Sequence, residues 1–145
     1  MPRLPLLAAG ALVLASLVLT ALVRITGTSA AVELPASSTA VRELALFFDD
    51  TADGRVLVRD ARTERVVGTI LPGEGGFVRA TMRGLVRERR RRGLGPEAPF
   101  LLSARSDGRI VLTDPATGRL LDLGAYGPDN AKAFVRFLDE PTGGA

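Results

Sequence analysis

Asp53-Gly54-Arg55 returns as Asp107-Gly108-Arg109, and the shift of 54 residues holds well beyond that triplet. Asp60 aligns with Asp114, Thr63 with Thr117 and Arg65 with Arg119, while Leu46, Phe47 and Phe48 fall on Phe100, Leu101 and Leu102. Phe77-Val78-Arg79 recurs as Phe134-Val135-Arg136 at a shift of 57, so the second copy carries three extra loop residues. Self-similarity of this kind constrains a fold more tightly than local propensity, because what one half forms the other half must form as well.

Each half reads as three short strands and a helix. In the first, strands are expected at 42–48, 55–59 and 65–71, separated by Asp49–Gly54 and Ala61–Glu64. In the second they are expected at 100–104, 109–113 and 119–123, with Ser106-Asp107-Gly108 and Asp114-Pro115-Ala116-Thr117-Gly118 as turns. Apolar residues alternate along these runs, and Asp, Pro and Gly punctuate them. Helices follow at 76–92 and 129–139, the second with Asp129 or Asn130 as its N-cap behind Pro128. The expected class is α+β: one N-terminal transmembrane helix plus a small domain of duplicated βββα units with antiparallel strands. The strands form one sheet or two meanders related by a pseudo-twofold, with helices covering a face.

The transmembrane helix rests on Leu4–Val23, twenty residues without a charge. At about 1.5 Å per residue such a helix reaches about 30 Å, the thickness of a bilayer's hydrocarbon core. A cleaved secretory signal is the competing reading, since Thr28, Ser29, Ala30 and Ala31 are small, but signal cores are shorter, about 7 to 15 residues. The layout is a tail at 1–3, the span at 4–23, a flexible spacer at 24–40, the duplicated domain at 41–139 (repeats 41–95 and 96–139), and a disordered tail at 140–145. Arg3 and the N-terminal amine nearly balance Arg24 and Arg42, so the flanking charges lean only slightly towards an N-terminus inside.

The residue inventory removes whole classes of chemistry. With no His, Cys or Trp among 145 residues, Ser-His-Asp and Cys-His nucleophile systems, thiolate or imidazole metal sites and His- or Cys-ligated haem are excluded. Asp49 with Asp50, or Asp139 with Glu140, are poor candidates for paired-carboxylate catalysis, lying in a turn and at a terminus. No catalytic residue, cofactor or metal site is expected. Asp49, Thr51, Asp53, Gly54 and Asp60 fall at positions one, three, five, six and twelve of a calcium loop, but the flanks read as strands and the last ligand is Asp instead of Glu. A hairpin turn accounts for the same residues. Gly73, Gly75 and Gly76 before the first helix lack the Lys and Ser/Thr of a phosphate loop.

Net charge is +3, yet Phe77–Arg92 holds seven Arg and one Glu, leaving −3 for the rest of the chain. On the helix expected there, Val78, Thr81, Met82, Leu85 and Val86 make one face and Arg79, Arg83, Arg87 and Arg90 the other. Arg79, Arg83, Arg87, Arg90 and Arg91 are the candidate contacts to a partner or to lipid. Acidic protein segments would pair with their forks, anionic headgroups would attract them, and a merely solvated charged face is the bland alternative. Nucleic acid is not an expected partner, since no recognition fold accompanies the patch.

The ordered set Leu71-Pro72-Gly73-Glu74-Gly75-Gly76-Phe77-Val78-Arg79, Arg83-Gly84-Leu85-Val86-Arg87-Glu88-Arg89, Pro99-Phe100, Asp107-Gly108-Arg109, Asp114-Pro115-Ala116-Thr117-Gly118-Arg119 and Ala125-Tyr126-Gly127 with Asn130 and Ala133-Phe134 resembles the PuhC family. These are photosynthetic-complex assembly proteins of purple bacteria, encoded near the reaction-centre H subunit. The resemblance covers almost the entire chain, with Tyr126 standing where the family pattern commonly has Phe. It implies a single-pass protein of the bacterial inner, photosynthetic membrane with its C-terminal domain periplasmic. Such a protein would be a non-enzymatic assembly factor for the reaction centre and light-harvesting complex 1, touching their polypeptides and membrane lipid. A permanent accessory subunit of the same complex, or a cell-envelope binding module, are the alternative roles. The family brings no catalytic residues to transfer.

Overall fold

The computed structural model describes residues 12–18 and 38–139. Of the apolar run at 4–23, residues 12–18 are helical, with Leu12, Val13, Leu14, Leu17 and Val18 exposed, and its other residues lie outside the described ones. Among the described residues no helix is long and apolar enough to cross a membrane. Most of the expected spacer and the tail at 140–145 also lie outside them. The chain divides into units Met1–Ala31 and Val32–Ala145, and the second carries the features that follow.

That unit is α+β. Strands β1 (Ala40–Asp50), β2 (Val56–Asp60) and β3 (Val66–Ile70) precede α1 (Gly76–Arg91). Strands β4 (Phe100–Arg105), β5 (Ile110–Asp114) and β6 (Arg119–Asp122) precede a 3-10 turn, Leu123–Tyr126, and α2 (Pro128–Asp139). All six strands form one antiparallel sheet in the order β3-β2-β1-β4-β5-β6. Two meanders thus meet along their first strands, with Leu46 opposite Phe100 and Leu44 opposite Leu102.

Strand alternation sends Leu44, Leu46, Phe48, Val56, Val58, Leu102 and Leu112 to one face, where Val78, Met82 and Leu85 of α1 and Phe134, Phe137 and Leu138 of α2 join them in a single core. Five of the six phenylalanines form a continuous line through that core. Phe100 meets Phe48 (6.2 Å), Phe48 meets Phe137 (6.1 Å), Phe137 meets Phe134 (6.3 Å) and Phe134 meets Phe77 (5.9 Å), all near edge-to-face. Tyr126 adds a sixth ring beside Phe77 at 5.5 Å.

The two hairpin types repeat in detail. Gly54 and Gly108 both have φ 81°, and each amide donates to the carbonyl three residues back, Thr51 and Arg105. At the other turns, Asp60 Oδ1 accepts from the amides of Arg62 and Thr63, and Asp114 Oδ1 accepts from Ala116. The amides of Glu64 and Gly118 then return to the carbonyls of Asp60 and Asp114 at 2.9 and 2.8 Å. Both residues sit in the left-handed region, at φ 59° and 72°.

Some element boundaries differ from the sequence expectation. Residues 38 and 39 already bond to the sheet: Arg105 Nε donates to Ser38 Oγ at 2.9 Å, and the Ser106 amide to the Thr39 carbonyl at 2.9 Å. α2 begins at Pro128, so Asp129 and Asn130 lie within its first turn instead of capping it. Proline needs no partner for a missing N–H and presets a helical φ, and the Gly127 carbonyl already accepts from Ala131 (3.1 Å). Asn130 Nδ2 reaches back to the Tyr126 carbonyl at 2.7 Å and closes the preceding 3-10 turn, an element the periodicity did not announce.

A candidate docking cleft along the arginine helix

The seven arginines of Phe77–Arg92 have different fates. At the start of α1, Arg79 is half-buried and acts as a clamp. Its Nη2 donates to the carbonyls of Gly54 (2.9 Å), Leu71 (3.0 Å) and Ile70 (3.2 Å), and its Nε to that of Glu74 (3.0 Å). Those carbonyls belong to the first hairpin turn, the end of β3 and the loop into α1, so one guanidinium ties three segments together.

At the other end Arg89 is buried, although it stands between the exposed Arg87 and Arg90 in the basic run. Its Nε lies 3.0 Å from both Asp114 oxygens, Nη2 lies 2.8 Å from Oδ1, and Nη1 donates to the Ala98 carbonyl at 2.8 Å. The guanidinium carbon stands 3.9 Å from the Phe100 ring centroid. Helical spacing explains the inversion: Arg89 follows Val78, Met82 and Leu85 on the buried stripe of α1. Arg91 and Arg92 both pair with Glu88, and Arg92 also donates to the Thr117 carbonyl at 3.0 Å.

Arg83, Arg87 and Arg90 remain. They are exposed, and the described residues supply none of their side chains with an ion pair or hydrogen bond. Spaced at i, i+4 and i+7, they form one row on α1. With Arg79 they border a cleft of about 400 Å3 between α1 and the distal ends of β1 and β2, floored by Phe48, Val56, Ile70, Met82 and Phe100. Beside the cleft β1 runs to Asp50, four residues beyond its last pairing with β4 at Leu46. Asp50 lines it too. Four of the five sequence candidates therefore gather at one site, while Arg91 does not line it. The sequence does not reveal the apolar floor, since its residues come from five elements and share no periodicity.

The acidic residues of the calcium-loop pattern are engaged in turn and cross-strand contacts. Asp49 Oδ2 accepts from Arg59 Nε at 3.1 Å, Asp53 pairs with Arg55 at 2.6 Å and accepts from the Thr51 hydroxyl, and Asp60 accepts the two turn amides. Among the described residues no group of three His, Cys, Asp or Glu is placed to hold a metal ion. Hydrogen bonding from Arg109 lowers the Asp107 carboxyl to about 2. At Asp114 burial pushes the carboxyl upward, but hydrogen bonds from Arg89 and Thr117 outweigh it and the net shift is downward.

Residues 40–141 match a family model described as "Photosynthetic complex reorganisation protein PuhC". The chain belongs to that family. The match covers the whole of the described sheet-and-helix domain and bears out the resemblance drawn from its motifs. A Rhodobacter capsulatus protein described as "Uncharacterized 17.4 kDa protein in puhA 5'region" is 36% identical over 66 residues, 46% of this chain and 41% of the relative. The aligned part of the chain thus spans less than half of that relative's length. No solved structure matches the chain.

Proposed function

We propose that this PuhC-family protein is a membrane-anchored, non-enzymatic factor that assembles or reorganises the photosynthetic reaction centre with light-harvesting complex 1. The observation that carries this reading is the family match over residues 40–141. The uncharged run Leu4–Val23 supplies the single-pass anchor in the bacterial inner membrane, and the C-terminal domain acts on the periplasmic side. Anchoring confines the domain to the membrane plane and raises its effective concentration against reaction-centre and antenna polypeptides. The unpaired Arg83, Arg87 and Arg90 are the contacts offered to those polypeptides or to neighbouring lipid. Duplication of a βββα unit accounts for the paired turn geometries and for the two meanders meeting along their first strands.

A C-terminal affinity tag, mild-detergent extraction and mass spectrometry test the reading. Reaction-centre and antenna polypeptides are expected at substoichiometric levels that rise while the photosynthetic membrane develops. Fixed stoichiometry in mature complexes would instead make the protein a permanent subunit, and absence of both polypeptide classes would remove the reading. A periplasmic-only reporter fused after Ala145 is expected to be active, and a cytoplasmic signal would reverse the topology.

A further inference from the structure

We infer that the cleft beside α1 is a docking groove for an acidic polypeptide segment anchored by apolar side chains. The inference rests on the proposed function only for which protein supplies the segment. The chemistry comes from the groove. Its floor is apolar, lined by Phe48, Val56, Ile70, Met82 and Phe100. Its volume of about 400 Å3 lies near the lower end of the roughly 300–1,000 Å3 of small-ligand pockets, so an occupant of any length must lie mostly along it.

The row of cations selects among anionic occupants. Arg83 to Arg90 spans seven residues of α1, a row about 10 Å long at 1.5 Å per residue, and none of the three row arginines has an ion-pair partner among the described residues. A single-headed amphiphile offers one anion, which one or two guanidinium forks can share. A polypeptide with carboxylates on successive turns offers one anion to each arginine while its apolar side chains enter the floor, which is the helix-in-groove mode of recognition. A nucleic-acid strand also carries a row of anions, but its bases bring polar edges to a floor made only of apolar side chains. Arg79 borders the cleft but is fixed by the fold, its Nε and Nη2 held by four carbonyls.

Site-specific photo-crosslinking of the full chain in its own membrane tests the inference. p-Benzoylphenylalanine replaces Asp50, an exposed residue of the cleft, and in a control replaces Thr69, exposed on β3. The expected product from position 50 alone is a peptide, identified by mass spectrometry, that holds at least two carboxylates and an apolar residue within about two helical turns. Arg83→Glu with Arg87→Glu should cut its yield at least tenfold, whereas Arg83→Lys with Arg87→Lys should keep most of it, and raised salt should weaken capture. Circular dichroism confirms folding of each variant. A lipid or nucleic-acid adduct, a product indifferent to charge reversal, or no product from position 50 would each overturn the inference. If the captured segment belongs to neither a reaction-centre nor an antenna polypeptide, the groove stands and the proposed function falls. If those polypeptides copurify but do not crosslink at position 50, the reverse holds.

Discussion

Arg87 and Arg89 lie two positions apart on one helix, yet one is exposed and unpaired and the other holds a buried carboxylate. Removing them should have opposite consequences. Arg89→Met leaves Asp114 charged and without its partner in the core, and should cost about 3–5 kcal/mol in urea unfolding. Arg87→Ala should stay within about 0.5 kcal/mol, as surface changes do. The Arg89–Asp114 pair also sets a pH dependence. Because the folded-state carboxyl of Asp114 titrates below its unfolded value of about 3.9, its contribution is complete above that pH and is lost as pH falls through the lowered folded value. The urea midpoint should therefore drop from about pH 4 downward, and Asp114→Asn should flatten that part of the profile while lowering stability at neutral pH.

At the scale of elements, the paired hairpins expose one mismatch. Glu64 occupies the left-handed position that Gly118 fills in the other turn, and among the described residues it is the one non-glycine with positive φ. Glu64→Gly should raise stability by up to about 1 kcal/mol even though it gives up the exposed pairing with Arg59. Gly118→Ala should lower it by a similar amount, and thermal melts of the two variants check the pair. β3 and α2 meet differently. A Cβ on Gly68 would lie 2.6 Å from the Phe137 ring, so that ring packs directly on the backbone of the edge strand. Gly68→Val should force the ring outward at about 1–3 kcal/mol. The strand's interior glycine is legible in the sequence, but the ring that packs on it lies 69 residues away.

For the whole molecule, the decisive contact is β1 with β4. It places both meanders in one sheet, and the line of rings from Phe100 to Phe77 crosses the same boundary. The two halves should consequently unfold together. Tyr126 is the sole tyrosine in a chain without tryptophan and lies in the second half, so its fluorescence reports there while far-UV circular dichroism reports on both. The two denaturation curves should coincide, and Phe48→Ala in the first half should shift both equally; separate transitions would show independent halves. The repeated motifs, the alternation and the turn residues let the element order and α+β class be read from the chain alone, because they depend on contacts within a few residues. How α2 starts and which arginines remain unpaired could not be read that way. Arg89 finds Asp114 25 residues away and the cleft floor is drawn from five elements, so only packing of the whole sheet against α1 decides which guanidiniums are consumed in the fold and which are left for a partner.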